Sequence, residues 1–150
     1  MAGYKITKKD AYYTYEAPGH KECKLCRLHD PQDIDGGRLI NGLSHFLPSG
    51  GGTEFGDNAM ESIYYIVEGT MLFKGDDGVE TVLEAGDSVH IAPHSKKCVT
   101  NIGTTTAQML VVLFLSFVML SYHMFCVFFF PRQIRITRSG RCPTVHQHPL

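Results

Sequence analysis

The chain has 150 residues, with 14 basic and 15 acidic side chains and no Trp. That length suits one compact domain, and 43% hydrophobic residues with only 19% charged residues exclude a solvated disordered chain. The formal net charge of −1 provides no global field for nucleic acid, so no nucleic-acid partner is expected. Five Cys without a dense spacing pattern predict reduced thiols in a cytoplasmic protein, and the polar opening, Met1 to Asp10, predicts no secretory signal.

The charge is distributed unevenly. All acidic residues lie between Asp10 and Asp87, so residues 1–113 combine 15 acidic with 10 basic residues, a net charge of −5. Residues 114–150 hold four Arg, no Lys and no acidic residue, a net charge of +4, together with six of the nine Phe. We therefore divide the chain into an N-terminal arm (1–37), a domain (38–113) and an atypical apolar and basic C-terminal tail (114–150).

The domain consists of short apolar runs separated by glycine-containing turns. Repeats of about ten residues with Asp-Gly and Gly-Asp pairs predict an antiparallel sandwich or barrel, and no stretch shows helical periodicity. The predicted strands are Leu39–Leu47, Ser62–Glu68, Met71–Lys74, Glu80–Leu83, Ser88–Ala92, Lys97–Asn101 and Thr106–Leu113. In the arm, Lys24–His29 is predicted as a strand, Asp10–Tyr15 as a turn or edge strand and Pro31–Gly37 as a loop. The arm is expected to add one or two strands to an all-β fold.

The apolar stretch Met109–Phe130 is long enough to be considered as a membrane span. We favour the interpretation that Thr106–Leu113 is the last barrel strand and that an aberrant tail, such as read-through sequence, follows it. The alternatives are a C-terminal membrane anchor through residues 114–130, with Arg132 onward as its positive flank, or a buried element or dimer interface. A span from Met109 would remove the closing strand, and one from Phe114 has only 17 residues.

Two stretches have distinctive motifs: Glu61–Gly69 contains Tyr-Tyr-Ile-Val-Glu-Gly, and Glu84–Pro93 contains Gly-Asp. Both stretches resemble the conserved motifs of the cupin superfamily. Both motifs align without gaps when Gly69 takes the last Gly of motif one and Gly86 and Asn101 take the Gly and Asn of motif two. The resemblance covers residues 38–113 and implies a cupin-type jelly-roll β-barrel, commonly a homodimer, with a pocket in the barrel mouth.

The same alignment departs from the family at the metal-ligand positions. The motif-one Glu falls on Ser62, and the His-x-His positions fall on Phe55–Asp57 or Gly56–Asn58, where there is no His. The motif-two His falls on Lys97, and the motif-two Gly falls on His94. The family's metal site therefore cannot be carried over, and no cofactor is predicted.

Other side chains offer an alternative divalent metal site. It would use His45, His90 and His94, with the nearby carboxylates Glu54, Asp57 and Glu61. Two His and one carboxylate suffice for Fe(II), and three His suit Zn. We prefer to interpret the histidines as sheet residues bonded to backbone or solvent.

The spacing of His20, Cys23, Cys26 and His29 also resembles that of zinc ligands. A strand over Lys24–His29 would separate Cys23 from Cys26, so we attribute the spacing to chance.

The leading hypothesis is a cupin-like protein that binds a small organic ligand, anionic or carbonyl-bearing, without the usual metal. An inward-facing Lys97 ammonium would suit such a ligand. The interpretation that we prefer for its charge, however, is a salt bridge to a pocket carboxylate such as Glu61. The predicted ligand-binding residues are His45, Glu54, Asp57, Glu61, Tyr64, His90 and Lys97.

Catalysis is left open. If the protein is an enzyme, proton-transfer chemistry is expected (isomerisation, lyase or decarboxylation reactions). The catalytic candidates are His45, Tyr64, His90 and Lys97. The alternatives are a metal-dependent dioxygenase or hydrolase with relocated His ligands, and a non-catalytic structural or regulatory dimer module.

Overall fold

A computed structural model describes residues 3–115, so the anchor and read-through interpretations of the tail lie outside the described residues. The described part contains eleven strands and a single 3-10 turn at Pro31–Asp33. The strands are β1 (Tyr13–Tyr15), β2 (His20–Lys21), β3 (Cys23–His29), β4 (Leu39–Phe46), β5 (Gly52–Thr53), β6 (Glu61–Glu68), β7 (Thr70–Lys74), β8 (Glu80–Glu84), β9 (Ser88–Ile91), β10 (Cys98–Asn101) and β11 (Ala107–Phe114). Residues 3–115 include no helix that is long and apolar enough to cross a membrane.

The strands form two antiparallel sheets. One sheet has the order β1-β3-β4-β11-β6-β9, and the other has the order β2-β5-β10-β7-β8. Within the six-stranded sheet β11 lies between β4 and β6, and in the other sheet β7 pairs with β10, although β8 and β9 lie between them in the chain. This is a jelly-roll β-barrel, which confirms the predicted all-β fold class. The seven strands predicted for the domain are present, each within one residue at either end.

The barrel core lies between the two sheets. Its fully buried side chains include Phe46, Ile66, Met71 and Val99. Alternation along each strand brings these side chains inward, as where Phe46 of β4 pairs with Ala107 of β11 on the inner face. Each large apolar side chain removed from water in this way stabilises the fold by about 1.5–3 kcal/mol.

The arm supplies β1, β2 and β3, and β1 forms an edge of the six-stranded sheet. The Arg27 guanidinium lies 4.7 Å from the centre of the Tyr15 ring and donates a 2.8 Å hydrogen bond to Asp30. The Tyr13 hydroxyl donates to the other oxygen of the same carboxylate at 2.7 Å. Burial and this bond raise the pKa of Tyr13 to about 12. These contacts fasten the short edge strand to its neighbour.

Two residues used to align the motifs have structural roles. Gly69 connects β6 to β7 with a φ of +89°, and an added Cβ would lie 2.7 Å from the Ala107 side chain, so only glycine fits there. Asn101 is buried at the end of the barrel opposite the loops of residues 54–60. Its side chain donates to the backbone carbonyls of Phe46 and Thr105 and accepts from the Gly103 amide.

Candidate ligand-binding site

The connections of residues 54–60 and 92–97 close one end of the barrel, which we call the barrel mouth. They are joined by backbone hydrogen bonds: Lys97 and Gly56 exchange two, at 2.9 and 3.1 Å, and the His94 amide donates to the Asn58 carbonyl at 2.7 Å. These bonds fix the backbone on which the mouth side chains stand. Residues that are far apart in sequence therefore have a defined geometry at the mouth.

Lys97 is buried inside the mouth. Because side chains alternate along a strand, Lys97 faces the interior as Val99 and Asn101 of β10 do, and only 6% of its surface is exposed. Its Nζ donates one long hydrogen bond, 3.4 Å, to the Ser95 carbonyl. Within residues 3–115, no carboxylate oxygen lies within 4.0 Å of this nitrogen. Burial lowers the pKa of Lys97, and the negative charge of Asp57 opposes that shift.

The expected salt bridge between Lys97 and Glu61 is not formed. Glu61 Oε1 instead lies 2.7 Å from His90 Nε2, and both side chains are substantially exposed. The reason is alternation along β6: Ser62, the neighbour of Glu61, is turned inward and only 1% exposed, so Glu61 faces outward. The cation of Lys97 thus keeps no carboxylate counter-ion in the described part of the chain.

Ser62 and Tyr64 follow each other on the inner face of β6. The Ser62 hydroxyl donates to the Met60 carbonyl at 3.0 Å and lies 3.4 Å from the Asn58 side-chain nitrogen. Tyr64 packs against the core, and burial raises its pKa to about 12. Its phenol is therefore neutral at physiological pH, where it can donate a hydrogen bond but cannot act as a ready base.

His45 and His90 lie on the outer face of the six-stranded sheet. His45 adjoins Phe46, and His90 adjoins Ile91, and both neighbours are buried in the barrel. Because successive side chains of a strand point to opposite faces, the two histidines face away from the interior that holds Lys97. Partial burial lowers the pKa of His45, mainly through desolvation. The structure therefore does not bring these two predicted residues together with Lys97.

Asp57 and His94 meet at the rim of the mouth. His94 Nδ1 lies 3.9 Å from Asp57 Oδ2, with both side chains largely exposed. His94 has a φ of +63°, a conformation that non-glycine residues rarely adopt, at the position that aligned with the motif-two Gly. Glu54 follows β5 nearby, and its amide donates to the Gly19 carbonyl at 2.7 Å.

The mouth residues do not fit the divalent metal that the resemblance implies. The ammonium of Lys97 occupies the position of a family ligand and repels a cation, and Ser62 replaces a carboxylate. Nowhere in residues 3–115 do three His, Cys, Asp or Glu side chains come together as a metal site, so His45, His90 and His94 form none.

The cysteine pair does not converge either. Cys23 pairs with Phe46 and Cys26 pairs with Leu43, so their side chains leave β3 on opposite faces. The Cys26 sulfur, on the outer face, lies 3.9 Å from His45 Nδ1. Cys23 and Cys26 cannot share one ion in this arrangement.

Arg27 was not predicted as a site residue. It pairs with Gly42 on the inner face, and its Nε is buried without a hydrogen-bond partner in residues 3–115. Alternation along Lys24–His29 could have placed it on this face, since Leu25 on the same face is buried. Its pairing with Asp30 offsets its charge, in contrast to Lys97.

Comparisons with known proteins agree with this architecture. The family described as Cupin domain matches residues 42–113. A curated relative, the beta-D-galactosidase Rv1717 of Mycobacterium tuberculosis, is 33% identical over 107 residues, which span 71% of this chain and 90% of the relative. The polyketide cyclase RemF from Streptomyces resistomycificus matches with a TM-score of 0.65 at 22% identity, covering 75% of this chain and 80% of that one. A predicted oxalate decarboxylase from Thermotoga maritima has a TM-score of 0.65 at 18% identity, covering 75% of this chain and 100% of that one. The chain belongs to the cupin superfamily.

Proposed function

We propose that the barrel mouth binds a small organic molecule through a negatively charged or carbonyl oxygen, with Lys97 as the main partner. The observation that carries this proposal is a buried ammonium with one long hydrogen bond and no carboxylate within 4.0 Å in residues 3–115. A buried charge of this kind is costly unless a partner neutralises it. A ligand oxygen would supply that partner.

The proposed chemistry follows from a buried cation on a fixed backbone. An ammonium held by a rigid backbone can stabilise an enolate or carboxylate without reorganisation, as an oxyanion site does. Tyr64, as a neutral phenol, is the proposed hydrogen-bond donor beside it. Isomerisation, lyase or decarboxylation chemistry would all use such a charge, and the mouth offers His94 and Asp57 for proton exchange with solvent.

Replacing Lys97 by Ala tests the binding proposal. A panel of small carboxylates, oxo acids and phenols would be screened by thermal shift, and the strongest hits would be quantified by calorimetry. We expect Lys97→Ala to weaken binding by about 10- to 100-fold, because a charged hydrogen bond contributes about 1.5–3 kcal/mol. The matched control is Lys96→Ala, which removes the exposed neighbouring lysine. The site would be rejected if no compound of the panel binds the wild-type protein, or if Lys97→Ala and Lys96→Ala bind with equal affinity.

Glycoside hydrolysis is a second candidate, favoured by the name of the mycobacterial relative. Such hydrolysis uses two carboxyl groups, and the mouth region offers Asp57 and Glu54. Release of p-nitrophenol from its β-D-galactoside would be expected to fall at least about 100-fold in Asp57→Asn if this candidate holds. No release by the wild-type protein would exclude it.

We further propose that the protein is a homodimer that pairs through the outer face of the six-stranded sheet. Ile63, Tyr65 and Val67 are each more than 40% exposed on this face, and Leu39 and Phe114 extend the apolar surface. Light scattering after gel filtration should give twice the chain mass, and Ile63→Asp should give the monomer mass. A monomeric wild-type protein at micromolar concentration would contradict the proposal.

A further inference from the structure

The Lys97 amine has the surroundings of a nucleophile as well as those of a cation. A lysine ammonium has three donors, and within the described residues only the 3.4 Å contact with the Ser95 carbonyl engages one of them. Burial without a counter-ion in residues 3–115 shifts the balance between ammonium and neutral amine towards the amine, relative to an exposed lysine. The pKa of Lys97 is lowered, chiefly by burial, and this lowering also acts towards the neutral amine.

The backbone that carries this amine is fixed. Two hydrogen bonds join Lys97 to Gly56, and the preceding turn is held by the bonds from the His94 amide to Asn58 and from the Ser95 amide to Ala92. Lys96, the adjacent residue, is exposed on the same segment. The two consecutive lysines therefore differ in burial and environment, although they belong to one rigid turn.

We propose that Lys97 forms a reversible imine with a small aldehyde or ketone in the barrel mouth. This inference rests on the proposed function, because it makes the carbonyl ligand of that site a covalent partner. The neutral amine attacks the carbonyl carbon, a C–N bond forms, and the carbonyl electron pair moves to oxygen, which is protonated. The carbinolamine then loses water as the C–O bond breaks and the C=N bond forms. Amine and carbonyl thus give imine and water, with no oxidant or reductant.

Protonation of the imine nitrogen would give an iminium ion, whose former carbonyl carbon is electrophilic. The iminium accepts the electron pair left behind when H⁺ or CO2 departs from the adjacent carbon, giving an enamine, so the imine would serve isomerisation or decarboxylation of carbonyl compounds. The neutral phenol of Tyr64 and the rim groups Asp57 and His94 are the proton donors and acceptors that we assign to this step. The substrate class is therefore a small aldehyde or ketone.

Reductive trapping tests the imine directly. The full-length protein would be incubated at neutral pH with propionaldehyde or, separately, glyoxylate, in the presence of sodium cyanoborohydride, and modified lysines would be located by peptide mass spectrometry. We expect Lys97 to be labelled at least about fivefold faster than Lys96, since a neutral amine reacts and an ammonium does not. Labelling of Lys97 at or below the rate of Lys96 would overturn the inference. This comparison uses the wild-type protein and needs no variant to fold.

The variant Lys97→Arg separates this inference from the proposed function. Arginine retains the positive charge but cannot form the imine. A lower rate of total adduct formation per chain in Lys97→Arg than in the wild-type protein, with retained oxalate binding, supports the covalent role on an anion-binding site. If wild-type Lys97 is not trapped and oxalate still binds in a Lys97-dependent manner, the imine fails and the binding site stands. If Lys97→Ala leaves binding of the carboxylate and carbonyl panel unchanged as well, both fail.

Discussion

Replacing Asn101 by Ala is expected to destabilise the protein by about 3–5 kcal/mol, which would lower Tm by about 15 °C or more. The Asn101 side chain is 1% exposed and makes three hydrogen bonds of 2.8–2.9 Å, to Phe46, Thr105 and Gly103. Alanine would leave the two carbonyls and the amide without partners in a buried region, and each costs about 1–3 kcal/mol, although such costs are not additive. Chemical denaturation followed by circular dichroism would measure the loss.

The matched control is the same substitution at Asn41. The side-chain oxygen of Asn41 is buried and has no hydrogen-bond partner in the described part of the chain. Asn41→Ala therefore removes little hydrogen bonding and should change stability by less than about 1 kcal/mol. A second variant, Asn101→Asp, retains the acceptor for Gly103 but points a carboxylate oxygen at two carbonyls, so it should be as destabilised as Asn101→Ala. Equal stabilities of the two alanine variants would show that Asn101 is not the structural clamp described above.

Most of the strands of the barrel could be predicted because local patterns of apolar residues and turns indicate them. β4, β6 and β11 have strong apolar content over eight residues each, and glycine-containing turns separate the shorter strands. β2 and β5 were not predicted, since each has only two residues and Gly52–Thr53 lies in a glycine-rich loop. These two strands exist because of long-range pairing with β10 and with each other.

The site was only partly predictable, for a different reason. Alignment with the family placed Lys97 and Ser62 at ligand positions, and both are buried on the inner face. The interpretation of Glu61 and His90 as pocket residues depended on proximity in sequence to the motifs, whereas the pairing of β6 with β9 brings them together outside the barrel. Alternation relative to the buried Ile91 indicates that His90 faces outward. The partner of each side chain, in contrast, follows only from the three-dimensional pairing of the strands.

Replacing Lys97 by Met is expected to stabilise the free protein while removing ligand binding. Methionine has a similar length and no charge to desolvate, so we expect a gain of about 1 kcal/mol at pH 7 and a rise in Tm of about 2–4 °C. Residues retained at a cost in stability are typical of functional sites. The measurement is thermal denaturation beside calorimetric titration with the ligand panel. A loss of stability would mean that the ammonium supports the fold, and unchanged binding would remove Lys97 from the site.

The pH dependence of the stability gained in Lys97→Met distinguishes the removal of a buried charge from an improvement in packing. Because the folded-state pKa of Lys97 lies below its ordinary value of 10.5, the folded protein binds fewer protons than the unfolded chain between these two values. The destabilisation is therefore complete below the folded-state pKa and disappears as pH rises towards 10.5. Comparing Lys97→Met with the wild-type protein at each pH from 7 to 9.5 cancels the titration of other shifted groups such as His45 and Tyr64, which both proteins contain. The advantage of Lys97→Met should shrink across this range once the pH exceeds the folded-state pKa, whereas a constant advantage would indicate that methionine merely packs better.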